Sequence, residues 1–313
     1  MPPDFVADIS PNALIAVTGD DAGSFLHAQF TNDVQELHVG DAQWNGWCSP
    51  KGRLLATFLL LRRPDGYWLM LPAEIAPGVM KRLGVYVLRS KVKVEDVSER
   101  FVRLGLVGKN AAAFVAKHWG RTPAPMRSID KDSGAVCVAL DAERYVAFVP
   151  GEAARRFHVL VPKDWMRTGA DPWELASIRA GIPTIVAATQ EAFVPQMANF
   201  DLVGGVSFKK GCYPGQEIVA RTQYRGILKR RMALVHLAGA ERPAPGQSVY
   251  SDAFGDQAAG TIVNAAPAPE GGFDALVVAQ VESLEKGDLR WKSLDGPRLE
   301  IRSHPSLATA GAS

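Results

Sequence analysis

The feature that most constrains the fold is a change of character near Arg231. Beyond it the apolar residues fall in short runs, at 232–237, 248–250, 260–264, 275–281 and 299–302, separated by turns rich in Pro and Gly. No helical period runs through that stretch. The spacing predicts a small antiparallel β-barrel over residues 229–303, and the small, polar residues 304–313 read as a disordered tail. Ahead of Arg231, helix and strand patterns alternate. Strands are expected at 14–17, 43–48, 54–61, 67–71, 92–97, 101–107, 136–140, 145–149 and 157–161, and helices at 20–30, 73–90 and 110–119. Residues 122–133 read as a connection. The order makes residues 1–228 an α+β region built from two related, ferredoxin-like halves. The best-marked helix is 172–180, with Asp171 as N-cap, Pro172 at the first helical position, Glu174 returning a bond, and Gly181 and Pro183 as its stop. Leu175 and Ile178 share the core face of this helix, and Trp173 lies on the opposite, small-residue face.

A chain of 313 residues exceeds one ordinary core, which also favours a division into compact units. Hydrophobic content of 47% and charged content of 22% suit a globular protein, and a net charge of +2 gives no global pull toward nucleic acid. The charge is uneven, however. Between Lys209 and Arg231 there are seven basic residues (Lys209, Lys210, Arg221, Arg225, Lys229, Arg230, Arg231) against Glu217 alone, so this segment carries +6 and the rest −4. Such a patch favours an anionic partner. The three cysteines, Cys48, Cys137 and Cys212, have neither CxxC spacing nor His partners at metal-ligand intervals, so no disulfide framework and no permanently bound metal is expected. No basic-then-apolar leader opens the sequence, and no apolar run approaches the ~20 residues of a membrane span, which predicts a cytoplasmic monomer with reduced thiols and no membrane contact.

The chemistry concentrates in Lys209-Lys210-Gly211-Cys212-Tyr213-Pro214-Gly215-Gln216-Glu217, continuing through Ile218-Val219-Ala220-Arg221. Gly211 and Gly215 permit tight turning, and Pro214 holds Tyr213 out of helix, so Cys212 should sit on an extended or turning segment. Cations nearby favour the thiolate, the reactive form of cysteine. Lys210 and Arg221 are the candidates for that role, with Tyr213 positioning the thiol and Gln216 and Glu217 fixing the turn.

These residues resemble the signature of the YgfZ family of folate-binding proteins. The lead-in Pro195-Gln196-Met197-Ala198-Asn199-Phe200 and Gly204–Phe208 resembles that family too, as do the segment from Phe25 to Val34 and the hairpin tip Ser49-Pro50-Lys51-Gly52-Arg53. The family is in turn similar to the T-protein of the glycine cleavage system. The resemblance covers roughly residues 10–300. It implies two α+β lobes and a C-terminal barrel, three lobes around a central folate pocket. It further implies tetrahydrofolate or another folate as ligand, and a role in maintaining iron–sulfur enzymes, including those that thiolate tRNA.

Residue by residue, the resemblance assigns Trp173 to stacking on folate, with Gln196 and Asn199 in the pocket. A second family tryptophan corresponds to Asn12, so one stacking surface is lost. The acidic pair that follows the hairpin tip in the T-protein corresponds to Ala56 and Thr57, which removes the general acid/base and argues against aminomethyl transfer. The expectation is therefore an accessory factor for iron–sulfur client enzymes or assembly proteins, with Cys212 as its reactive thiol. The alternatives are an aminomethyltransferase-like one-carbon enzyme and a tRNA-binding module using the basic segment.

Overall fold

The computed structural model describes residues 3–225 and 228–304. In chain order, β1 is Phe5–Asp8, β2 Asn12–Thr18, α1 Ala22–His27, β3 Ala42–Cys48, β4 Leu54–Arg63, β5 Gly66–Pro72, α2 Ala76–Val87 and β6 Lys93–Asp96. Then come β7 Phe101–Val107, α3 Ala111–Trp119, β8 Arg127–Asp130, β9 Val136–Ala139, β10 Arg144–Pro150, α4 Gly151–Leu160, β11 Met166–Thr168, α5 Asp171–Arg179 and α6 Gln216–Arg225. The chain finishes with β12 Arg230–Leu237, β13 Ser248–Tyr250, β14 Gly260–Pro267, β15 Phe273–Gln280, α7 Val281–Lys286, β16 Arg290–Trp291 and β17 Glu300–Ser303. The chain is thus a mixed α+β fold. It divides into two compact units, one of residues 1–28, 32–45 and 58–173, the other of 29–31, 46–57 and 174–313.

The first unit carries two sheets. One has the order β3-β4-β5-β2-β6, the other β11-β1-β7-β10-β9-β8. In the first, β2, α1, β4, β5, α2 and β6 trace strand–helix–strand–strand–helix–strand, with the fourth strand beside the first and the third between first and second. Strands β7, β9, β10 and β11, with α3 and α4, follow the same path, and β1 is inserted between β7 and β11. This is the split β-α-β order. Apolar side chains alternating along β7, β9 and β10 (Leu104, Leu106, Cys137, Ala139, Tyr145, Ala147) meet Phe114 and Val115 of α3 and Phe157 of α4.

The structure corrects two local expectations. The 157–161 stretch is helical in α4 as far as Leu160: Ala154 and Phe157, three apart, are buried, whereas Val159 is 83% exposed, so the apolar run follows a helical and not a strand period. The supposed connection 122–133 contains β8, which is short and pairs with β9.

In the second unit the C-terminal strands form one sheet, β16-β13-β14-β15-β12-β17. It is a curled half-barrel and not a closed barrel. Its edges are drawn together by an Arg290–Arg298 bridge and by the Leu299 amide donating to the Leu289 carbonyl at 2.9 Å. A short helix, α7, ended by Gly287 in the left-handed region, also interrupts the all-β pattern. Both faces of the sheet are covered. Val235, Leu237, Val249, Val277, Leu284 and Trp291 fill the concave side. Met232, Val263, Leu276 and Val278 pack on Leu175 and Ile178 of α5, with Ile185, Phe193 and Cys48. The expected core face of α5 is the observed one. Of the tail expected to be disordered, 305–313 lies outside the described residues, and His304 is buried. No helix among the described residues is long and apolar enough to cross a membrane.

Candidate functional site

Cys212 lies on an irregular loop, residues 211–213, which the Pro214-Gly215 turn joins to α6. Cys48 and Cys137 are buried free thiols, and Cys212 is the exposed one. Burial pushes the Cys48 and Cys137 thiols far up, out of the thiolate range. Chemistry that needs an accessible sulfur therefore falls to Cys212.

Two glycines interlock to hold this loop against the β3–β4 hairpin. Gly215 has φ +78° and Gly52 has φ +67°, both left-handed. A Cβ on Gly215 would lie 2.4 Å from the Ser49 carbonyl oxygen and 2.5 Å from the Gly52 nitrogen, while one on Gly52 would meet Ile218 Cβ at 2.8 Å. Only glycine allows so close a backbone approach. The tip itself is closed by Gly52 N–H donating to Ser49 O at 2.8 Å, and Arg53 fixes it to the carbonyls of Glu191 (3.3 Å) and Ala192 (2.7 Å). Inside the loop, Gln216 N–H donates to Tyr213 O at 3.1 Å, and Gln216 Nε2 reaches Lys210 O at 3.5 Å.

Lys210 is 7% exposed. Its ammonium donates to the Phe30 carbonyl at 2.5 Å and lies 5.1 Å from the Tyr213 ring centroid. The structure thus gives this lysine a cross-linking task. Phe30 and Thr31 are placed to receive it: Thr31 Oγ1 donates to Gly205 O at 2.6 Å and accepts from Gly46 N–H at 2.9 Å, and Ser207 N–H donates to Thr31 O at 2.9 Å. Tyr213 is buried beside Cys48. Desolvation pushes its hydroxyl above the ordinary tyrosine range, and the Cys48 sulfur adds to the shift. A Lys210→Met variant should lose about 2 kcal/mol of stability, because the Phe30 carbonyl would stay buried without its charged donor. Thermal unfolding checks this, and a melting temperature within a degree or so of wild type would refute the cross-link.

The other predicted residues divide as follows. Lys209, Gly211, Glu217 and Arg221 are exposed. Arg231, from the same basic run, is spent on a forked pair with Asp201 (2.9 and 3.1 Å) and on the Gln196 carbonyl (2.9 Å). Asn199, at φ +53°, turns both ends of its amide to β12, donating to Met232 O at 2.8 Å and accepting from Met232 N–H at 3.3 Å. Gln196 is 1% exposed; its Nε2 donates to Val219 O at 2.8 Å, and its Oε1 has no hydrogen-bond partner among the described residues.

In the first unit, Trp173 of α5 is 6% exposed, its indole lying on Gly105 of β7, where a Cβ would come within 2.2 Å of Cε3. Asn12 opens β2, half-buried, with Nδ2 3.3 Å from Ile9 O. Of the residues that the resemblance assigns to folate, Trp173 in the first unit offers an aromatic ring supported by a glycine, and Gln196 in the second unit offers a buried acceptor with no hydrogen-bond partner among the described residues. Asn199 does not suit such a role, because its amide is consumed by the strand.

At the hairpin positions where an acidic pair would act, Ala56 is 0% exposed and Thr57 4%. The Thr57 hydroxyl donates to Pro183 O at 2.9 Å and accepts from Ile185 N–H at 3.0 Å. It is a structural bridge, with no carboxylate to activate anything. Cys48 behind Tyr213 and Phe30 beneath Lys210 are the parts of this site that sequence reasoning missed. The nearest sequence signal is the aromatic-polar segment from Phe25 to Val34, which the family resemblance includes without a role for either residue.

The mixed α+β fold resembles that of an aminomethyltransferase. The glycine cleavage system aminomethyltransferase T from Bartonella henselae matches 97% of this chain and 86% of its own with a TM-score of 0.79 at 17% identity. Residues 5–129 match the GCVT N-terminal domain. Closer relatives in sequence carry the name tRNA-modifying protein YgfZ. The one from Cronobacter sakazakii is 31% identical over 281 residues, 88% of this chain and 84% of that protein. The one from Photobacterium profundum is 32% identical over 297 residues, 91% and 88% respectively. The chain belongs to the YgfZ family.

Proposed function

We propose that this protein is a folate-binding accessory factor for the assembly or repair of iron–sulfur clusters in client enzymes, among them enzymes that modify tRNA. The observation that carries the reading is the exposure of Cys212 on a loop fixed from both sides, by the Gly52–Gly215 interlock and the Lys210–Phe30 bond. Such a loop presents one thiol outward in a set position, as a group meant to meet another protein's sulfur or iron would be. A [4Fe–4S] cluster needs about four thiolate-type ligands, so one cysteine can only share or hand over such cargo with a partner that supplies the rest. The link to tRNA comes from the relatives, whose name is tRNA-modifying protein YgfZ. Folate, when bound, supplies a reduced pterin, and Trp173 is the residue we assign to stack on it.

The aminomethyltransferase alternative is disfavoured by Thr57, whose hydroxyl is committed to two backbone groups where a general acid/base would be needed. In a host deleted for its own family member, Cys212→Ser is expected to fold as wild type yet leave cluster-dependent tRNA thiolation at the level of the deletion. Thiolation restored in full by the serine variant would remove the cysteine from the mechanism.

A further inference from the structure

Of the basic run, Lys209 and Arg221 are exposed, and Arg221 lies on an exposed face of α6. At about 100° per residue, Glu217, Ile218, Arg221 and Tyr224 fall within an arc of about 120°. All four are exposed, Tyr224 at 71%, while Val219 on the opposite side is fully buried. Tyr224 is not loose. Phe208 makes a T-shaped contact with it, ring centroids 6.3 Å apart at 73°, and Tyr224 stays largely open to solvent. Cations stand around it. Lys209 follows Phe208 and is exposed, and Arg221 lies between Ile218 and Tyr224 on the helix. The exposed Lys51 at the hairpin tip precedes Gly52, which packs on Ile218. None of these three cations enters an ion pair among the described residues.

A supported aromatic ring flanked by unpaired cations matches the two needs of a single-stranded nucleic acid, a platform for a base and charges for the phosphates. A stable protein–protein interface needs roughly 800 Å² from each partner. One ring and one isoleucine are a poor centre for that, whereas one ring is enough to stack a base. We propose that this face of α6 binds single-stranded or loop RNA, with Tyr224 stacking on a base and Lys51, Lys209 and Arg221 meeting phosphates. The choice of RNA over DNA rests on the tRNA association of the proposed function.

The test uses the full chain, with fluorescence anisotropy of a labelled single-stranded oligouridylate and competition by unfractionated tRNA over a salt series. Wild type should bind, with affinity falling as salt rises. Tyr224→Ala should weaken binding roughly tenfold or more without changing the salt slope, and Tyr224→Phe should retain it. Arg221→Gln should reduce the salt slope by about one. Absence of binding at low salt, binding unaltered in Tyr224→Ala, or equal binding of polyglutamate, which would mark a surface for acidic protein, would each overturn the proposal. Tetrahydrofolate binding by Tyr224→Ala separates the two readings. Folate binding kept while RNA binding fails refutes only the RNA surface. RNA binding as expected with no folate binding in any variant refutes the folate reading and leaves the surface standing.

Discussion

Gly215→Ala is expected to destabilise the second unit by about 4 kcal/mol and to abolish the function of Cys212, three residues away. Two costs combine. A non-glycine residue held at φ +78° pays about 1–3 kcal/mol in backbone strain. The new Cβ would also lie 2.4–2.6 Å from the Ser49 oxygen and the Gly52 nitrogen and Cα. These are backbone atoms of a hairpin tip, with no side chain to swing aside, so relief requires moving the tip or the loop, and overpacking of this kind costs about 1–3 kcal/mol more. Gly84→Ala provides the contrast. That glycine lies inside α2, and no atom stands within 4 Å of the place its methyl would take, so alanine should stabilise by about 1 kcal/mol. Guanidinium unfolding followed by circular dichroism reads both. Equal, small effects of the two substitutions would show that the hairpin tip is not held against the loop.

The second large effect is expected at Gly105. An alanine there would place its methyl 2.2 Å from Trp173 Cε3 and 2.8 Å from Cδ2, and the indole is 6% exposed with little room to retreat. Gly105→Ala should therefore cost about 3 kcal/mol and displace the ring, shifting tryptophan emission to the red. Trp173→Ala should itself cost about 3–5 kcal/mol, as deletion of a buried aromatic does. The two losses should not add. With the indole gone, Gly105→Ala has nothing to strike and should be nearly neutral, a coupling that a double-mutant cycle measures directly. Full additivity would mean that the glycine does not support the ring.

Much of the fold was legible because its signals were local. The apolar run from Phe101 to Val107 forms β7, buried without a break from Arg103 onward, and the helix read at 110–119 is α3, ended by Gly120 at φ +88°. The failures were places where a short apolar run had two readings. Phe157, Val159 and Val161 alternate on paper as a strand does. What decides is that Ala154 and Phe157 face a core and Val159 faces water, which depends on α4 lying over the second sheet of its unit. α7 has six residues, too few to show a period. α6 was hidden because it begins directly after the Pro214-Gly215 turn, inside a motif read for its chemistry.

At the site, residue types pointed to the right loop but could not reveal partners. Lys210 beside Cys212 in sequence suggested a cation for a thiolate, while its ammonium donates to a carbonyl 180 positions earlier. Arg231 looked like part of a surface patch and forks onto Asp201. Both outcomes depend on long-range packing that no local pattern encodes.

The most direct test of the account is a calorimetric titration of tetrahydrofolate into the wild-type full chain and into Trp173→Ala and Trp173→Phe. Saturable, one-to-one binding is expected in the wild type. The alanine variant should bind at least tenfold more weakly, with the aromatic phenylalanine in between, in line with a stacking contribution of roughly 1–3 kcal/mol. Affinity unchanged in Trp173→Ala would take that residue out of the site, and no tetrahydrofolate binding by the wild-type chain would contradict the account itself.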